Sequence, residues 1–258
     1  MKNNIKAILL VAGEGTRLRP YTLDRPKCLV EVDNISLLER QLSILKSQNI
    51  ESIVLIGGYK SEMLLGKGSR LKINPRYYET NMVWTLFCAE EELDGDVIIS
   101  YGDIVYSKEV LEAIMASTAD IAVTIDKEWE SYWRARNEDP LDDAETLKLD
   151  PEGRIIEIGQ KPKSISEIEG QYMGLIKLTV KGVKHLKDVF HKAVENDGIL
   201  LGKPIENAYM TDLLQAVINK DIPVYSVPVS GGWVEVDTVD DLNSTVTRER
   251  LSSIKSDF

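Results

Sequence analysis

Ile5–Ala12, apolar but for Lys6, is a run that stops at Gly13, the pattern of a strand buried on both faces. Leu37, Leu38, Leu42, Ile44 and Leu45 recur at helical spacing and predict a helix over Leu37–Gln48. Ser52–Ile56 reads as a second buried strand closed by Gly57 and Gly58, and Leu71–Asn74 as a short one. Val83, Leu86, Phe87, Glu90 and Leu93 fit one helix over Asn81–Leu93, with Asn81 or Thr80 as its cap. Val97–Ser100 is a third apolar strand, Lys108–Ala116 a helix and Ile121–Ile125 a further strand. Strands alternating with helices predict right-handed crossovers and a mostly parallel sheet.

The rhythm changes near Lys127. Residues 127–170 are polar, acidic and aromatic, with Pro140, Pro151 and Pro162. Leu147–Leu149 and Arg154–Gly159 read as antiparallel strands around the turn Asp150-Pro151-Glu152-Gly153. Tyr172–Thr179 is another strand, and helices return at Lys181–Asn196 and Thr211–Asn219. Short strands at Pro223–Val227 and Trp233–Val236 precede a last helix beginning over Asp240–Thr247. The pattern predicts one doubly wound, Rossmann-like α/β domain spanning residues 1–258, with a mixed, mostly parallel sheet. A small antiparallel insertion, residues 127–175, is expected to form one side of the cleft. No hexapeptide repeats are present, so no left-handed β-helix is expected.

Composition narrows the function. In 258 residues, 31 Lys and Arg stand against 42 Asp and Glu, a net charge of −11. That balance argues against non-specific nucleic-acid binding. No apolar run reaches the roughly 18 residues of a membrane span, and the N-terminal run reads as a strand rather than a signal peptide. Cys28 and Cys88 make no disulfide framework or metal spacing, and His185 and His191 suit no zinc pair. A reducing, cytoplasmic location is the expectation.

The densest chemistry is Leu10-Val11-Ala12-Gly13-Glu14-Gly15-Thr16-Arg17-Leu18-Arg19-Pro20, followed by Arg25-Pro26-Lys27. Glycines after a buried strand let backbone N–H groups approach phosphate oxygens. Leu18 stands where a dinucleotide fingerprint wants its third glycine, and no Gly-Lys-Ser/Thr follows. Arg17 and Lys27 beside the loop suit a polyphosphate whose charge is neutralised during reaction.

These segments resemble the sugar-phosphate nucleotidyltransferase superfamily. Further motifs agree in order: Ile98-Ile99-Ser100-Tyr101-Gly102-Asp103, Gly159-Gln160-Lys161-Pro162, Tyr172-Met173-Gly174-Leu175, Tyr209-Met210-Thr211-Asp212 and Trp233-Val234-Glu235-Val236-Asp237-Thr238. The resemblance covers roughly residues 6–245 and implies a fold of the GT-A type. It implies Mg²⁺ held by Asp103 and Asp237, with Arg17, Lys27, Asp103 and Asp237 as the catalytic set. Leu10, Ala12, Gly13, Glu14, Gly15, Thr16, Arg17 and Gly102 would contact the nucleotide, with Tyr59, Asn81 and Thr85 near the base. Lys161 would hold the acceptor phosphate, beside Gln160, Tyr172 and Trp233. The implied partners are small molecules, with neither nucleic acid nor membrane insertion; a homodimer is left open.

Three features single out a branch. Gln160 replaces the glutamate by which hexose-phosphate enzymes contact sugar hydroxyls. Glu79–Leu86 resembles choline-phosphate cytidylyltransferases, and Asp126–Trp129 with Asp139–Lys148 resembles cytidylyltransferases that couple CTP to phosphoglutamine. Related enzymes activate 2-aminoethylphosphonate. All these acceptors carry an amine beside a phosphate or phosphonate. Trp129, Tyr132 and Trp133 near Asp139, Asp142, Asp143 and Glu145 suit a cationic head group, each contact contributing about 0.5–2 kcal/mol. Trp129 and Trp133, at i and i+4, would equally pack a helix onto the sheet. The expected activity is transfer of CMP from CTP to such an acceptor. The alternatives are uridylyl or thymidylyl transfer to a sugar 1-phosphate, a non-catalytic nucleotide binder and, with least support, a nicotinamide oxidoreductase.

Overall fold

A computed structural model describes residues 5–254; the first four and last four residues of the expected domain lie outside the described residues. In chain order the elements are β1 Lys6–Val11, β2 Glu31–Val32, β3 Ile35–Ser36, α1 Leu37–Ser47, β4 Ile53–Gly57, β5 Arg70–Ile73 and α2 Met82–Phe87. Then come β6 Val97–Tyr101, β7 Ile104–Tyr106, α3 Lys108–Ala116, β8 Ile121–Asp126, α4 Trp129–Arg136, β9 Leu147–Leu149 and β10 Ile155–Ile158. The rest are β11 Gln171–Leu178, α5 Val180–Glu195, β12 Ile199–Leu200, β13 Lys203–Pro204, α6 Met210–Ile218, β14 Tyr225–Val229, β15 Trp233–Glu235, α7 Val239–Asn243 and α8 Thr245–Ser253.

Seven strands form the main sheet in the order β14-β8-β11-β6-β1-β4-β5. Every neighbouring pair is parallel except those of β11, which runs antiparallel to both β6 and β8. The sheet is therefore mixed and mostly parallel, as the apolar pattern predicts. Alternate residues of β1 feed two cores: Ala7, Leu9 and Val11 one, Ile8 and Leu10 the other. Helices cover both faces, so the strand is apolar from Ala7 to Val11. From β1 the chain proceeds to β4 and β5 on one side, then returns to place β6 on the other. The carboxyl ends of β1 and β6 flank this switch point, where open α/β sheets bind ligands.

Three elements differ from the pattern-based expectation. The helix over 81–93 stops at Phe87, and a separate tight turn at Glu90–Glu92 delivers Leu93 to the core. Ala89 sits at φ −129°, ψ 39°, outside helical space. The last helix is two, because Ser244 is extended and its hydroxyl caps α8. The strand expected at Pro223 begins at Tyr225. Within residues 127–175, the β9–β10 hairpin pairs outside the main sheet, whereas β11 lies inside it.

Candidate active site

The β1 strand ends at Val11 and delivers Ala12–Gly15 to the switch point. Gly15 sits at φ +63°, and a Cβ there would lie 2.8 Å from Lys27 Cβ. Only glycine suits both the conformation and the close approach. From β6, Gly102 packs so tightly that a Cβ would lie 2.6 Å from Val11 Cγ1. The loop after β1 and the loop after β6 thus meet, with Lys27 between them.

Short strand pairing brings in the distant carboxylate. β15 runs antiparallel to β7 with Glu235 opposite Ile104, and Val236 N–H donates to Asp103 O at 3.0 Å. Asp103 and Asp237 consequently face one ammonium: Lys27 Nζ lies 2.6 Å from Asp103 Oδ2 and 2.5 Å from Asp237 Oδ1. Arg17 pairs with Asp237 Oδ2. Burial opposes charge on Lys27, but the carboxylates of Asp103, Asp237 and Glu235 outweigh it and push its pKa up to about 12. Asp103 Oδ1 is buried with no hydrogen-bond partner, a cost unless a ligand takes it up. Among the described residues no three His, Cys, Asp or Glu side chains form a ready-made metal cluster.

Two cavities meet at this centre. The first, about 170 Å³, is lined by Leu10, Ala12, Gly13 and Gly102, with Asn81 at one wall and Lys27 and Asp103 at one end. The second, about 210 Å³, is lined by Tyr101, Trp133, Tyr172, Tyr209 and Trp233 and by Asp143, Glu145 and Glu235. Arg17 and Asp237 also line the second, and Met82 and Tyr101 line both, so the two adjoin. Of the second cavity's carboxylates, Glu235 pairs with Arg136 and Asp237 with Lys27 and Arg17, while Asp143 and Glu145 have no ion-pair partner among the described residues. Burial, with Asp212 and Asp143 nearby, raises the Glu145 pKa to about 7. Burial likewise raises Glu235 to about 7 despite the opposing Arg136, and raises Asp143.

Most residues singled out in the sequence converge here: Leu10, Ala12, Gly13, Lys27, Asn81, Gly102 and Asp103 on the first cavity, Arg17, Trp133, Tyr172, Trp233 and Asp237 on the second. Others lie outside both linings. Glu14, Gly15 and Thr16 shape the loop, with Glu14 paired to Arg19 at 3.1 Å. The Tyr59 hydroxyl donates to Leu23 O. Thr85 is buried and accepts from Asn74. Trp129 is 4% exposed and belongs to the core, its ring edge-on to Trp133. Gln160 is exposed, and Lys161 donates to Leu141 O at 2.5 Å and Asp142 O at 2.7 Å. Both tryptophans of the helix pair 129 and 133 thus pack in the core, each 4% exposed, and Trp133 also lines the second cavity.

Glu235 and Tyr209 were not singled out as site residues. Glu235 carries a signal that could have found it: it lies two residues before Asp237, on the same face of an extended chain. Tyr209 is exposed and belongs to the loop before α6, where no periodicity points to a cavity.

The family model described as MobA-like NTP transferase domain matches residues 7–165. The CTP:phosphoglutamine cytidylyltransferase of Campylobacter jejuni subsp. jejuni serotype O:2 is 37% identical over 255 residues, covering 95% of this chain and 100% of that protein. The solved inositol-1-phosphate CTP transferase of T. maritima superposes with a TM-score of 0.75 at 22% identity, over 98% of this chain and 96% of that one. The CTP:phosphocholine cytidylyltransferase of Streptococcus pneumoniae superposes with a TM-score of 0.72 at 22% identity, over 95% and 98%. The two structural likenesses show a shared fold.

Proposed function

This chain belongs to the family of MobA-like NTP transferase domains, and on that premise we propose that it transfers CMP from CTP to a small, amine-bearing phosphate or phosphonate, releasing pyrophosphate. The observation that carries this reading is the second cavity, where aromatic faces and the carboxylates of Asp143, Glu145 and Glu235 adjoin the Lys27–Asp103–Asp237 centre. Among the described residues no side-chain hydrogen bond or ion pair claims the Glu145 carboxylate. A desolvated carboxylate beside π-faces favours an ammonium, which brings the compensating charge that a neutral sugar lacks. The full-length likeness to a cytidylyltransferase whose acceptor is phosphoglutamine supports the same reading.

The chemistry asks for positioning and charge neutralisation more than for a base. The acceptor's phosphate or phosphonate oxygen, already anionic at neutral pH, attacks the α-phosphorus. One P–O bond forms, the bond from the α-phosphorus to the β-phosphate oxygen breaks, and pyrophosphate carries away the charge. The loop amides of 12–16 and the Arg17 guanidinium receive the β- and γ-phosphates. Lys27 sits between the two carboxylates and within the first cavity, placed to turn its ammonium onto the α-phosphate. The unpartnered Asp103 oxygen and the Asp237 carboxylate fit Mg²⁺, an oxygen-seeking cation that keeps few protein ligands and takes the rest from phosphates. Mg²⁺ bound there would polarise the nucleotide phosphates.

The test is pyrophosphate release with Mg²⁺, crossing CTP, UTP, dTTP, ATP and GTP with phosphocholine, phosphoglutamine, 2-aminoethylphosphonate and glucose 1-phosphate. Turnover confined to CTP and an amine-bearing acceptor is the expected result and identifies the substrate. Turnover confined to glucose 1-phosphate would replace this reading with nucleotidyl transfer to a sugar.

A further inference from the structure

Helix α4 places Trp129, Tyr132, Trp133 and Arg136 at i, i+3, i+4 and i+7, one stripe facing inward. The last of these is a cation at the end of an aromatic stripe, and its side chain is only 7% exposed. Its Nη1 donates to Glu235 Oε2 at 2.7 Å. Nε and Nη2 donate to the two oxygens of Asp241 at 2.9 and 3.1 Å. The guanidinium also lies over the rings of Tyr132 and Trp133, at 5.2 and 5.4 Å from their centroids.

Each carboxylate leads to a different part of the site. Glu235 and Trp133 both line the second cavity. Asp241 Oδ2 accepts from Asp237 N–H at 3.1 Å, Thr238 N–H at 2.9 Å and the Thr238 hydroxyl at 2.9 Å. It thereby fixes the turn from which the Asp237 carboxylate reaches Lys27.

We propose that Arg136 is a positioning residue that sets the acceptor pocket and the Asp237 turn in one register. One arm of its fork holds Glu235 in the pocket wall, and the other holds Asp241 beneath Asp237. The inference rests on the reading of the second cavity as the acceptor site and extends it to a residue that touches neither substrate. A lysine cannot reproduce the function, because an ammonium lacks the planar fork that serves two carboxylates at once. An ion pair serving stability alone would weaken the fold when removed without sorting its effects between ligands.

The test compares wild type, Arg136→Lys and Asp241→Asn. Three quantities are measured beside the melting temperature: the KM of whichever amine-bearing acceptor wild type turns over, CTP affinity by calorimetry without metal, and Mn²⁺ binding by electron paramagnetic resonance. Outer-shell partners of this kind are worth about 10–100-fold in affinity or activity. Arg136→Lys is expected to raise the acceptor KM and weaken Mn²⁺ binding by about 10-fold each, the lower end of that range, with CTP affinity unchanged. Asp241→Asn is expected to weaken Mn²⁺ binding alone. Equal losses for CTP and acceptor that track melting would overturn the proposal, as would an Arg136→Lys enzyme with both constants intact. Should Arg136→Lys not fold, Asp241→Asn decides by itself: undiminished Mn²⁺ binding overturns the link to Asp237. A wild type silent with every acceptor would defeat the cavity reading instead, and the Mn²⁺ comparison would still judge the Asp241 arm.

Discussion

The two cavities that adjoin at Met82 and Tyr101 are built from different materials. The first is made from the ends of neighbouring strands, where glycines and small apolar residues bring backbone close to a ligand. The second is made from side chains: Trp133 of α4, Asp143 and Glu145 of the loop before β9, Tyr172 of β11, Tyr209 before α6, and Glu235 of β15. A triphosphate is met by N–H groups that every residue carries, so its site can be one short stretch of chain. A cationic head group needs particular faces and charges, which must be gathered from wherever the fold can supply them. On the proposed reading, the nucleotide end therefore has a motif, and the acceptor end has a composition.

The sharpest break in this comparison is at the shared centre. Asp103→Ala is expected to lower pyrophosphate release at saturating CTP by about 10³-fold, roughly 4 kcal/mol of barrier, while the melting curve is preserved. A variant turning over near the wild-type rate would remove Asp103 from the chemistry.

Glu145→Gln should act on the acceptor side only, raising the acceptor KM about 10–30-fold, the worth of one desolvated cationic contact, with the CTP KM within twofold. The pH dependence follows from the raised carboxyl, at about 7. Below that value Glu145 is protonated and offers an ammonium no charge, so kcat/KM for the acceptor should climb between pH 6 and 8 in wild type. The part of that climb due to Glu145 should vanish in the Gln variant. A carboxyl raised in the fold makes folding progressively less favourable as pH rises from 4.5 to about 7. The Gln variant should thus melt higher than wild type at pH 8 and no higher at pH 4.

Gly13→Ala is the mirror test. No atom lies within 4 Å of a Cβ built there, so the fold should not notice the methyl. The nucleotide should: a CTP KM raised about 5–10-fold with the acceptor KM unchanged is what one misplaced backbone contact, roughly 1–1.4 kcal/mol, would cost. Equal changes in both constants would mean that Gly13 does not approach the nucleotide.

The smallest effect is expected at Lys161. Its ammonium bonds Leu141 O and Asp142 O, beside the loop that carries Asp143 and outside both cavities. Lys161→Ala should raise the acceptor KM about 3–5-fold, roughly 1 kcal/mol, and leave the CTP KM within twofold. A rise of 100-fold or more would place the lysine on the acceptor phosphate itself in the working complex.

By itself the sequence determined the doubly wound layout, because strands buried on both faces must be apolar throughout and helices must show their stripe. It also determined the nucleotide loop, because Gly13 and Gly15, with Arg17 and Lys27 close by, lie within fifteen consecutive residues and each answers to a local need. The motif resemblance brought Asp103 and Asp237 together on paper. Only the tertiary structure decided how they meet, through the β7–β15 pairing and a single lysine between them. It decided that both tryptophans pack in the core and that Trp133 also lines the second cavity, a choice that helical spacing leaves open. It admitted Glu235 to the pocket and put Arg136 behind it, because contacts between residues 99 and 105 positions apart leave no trace in local periodicity.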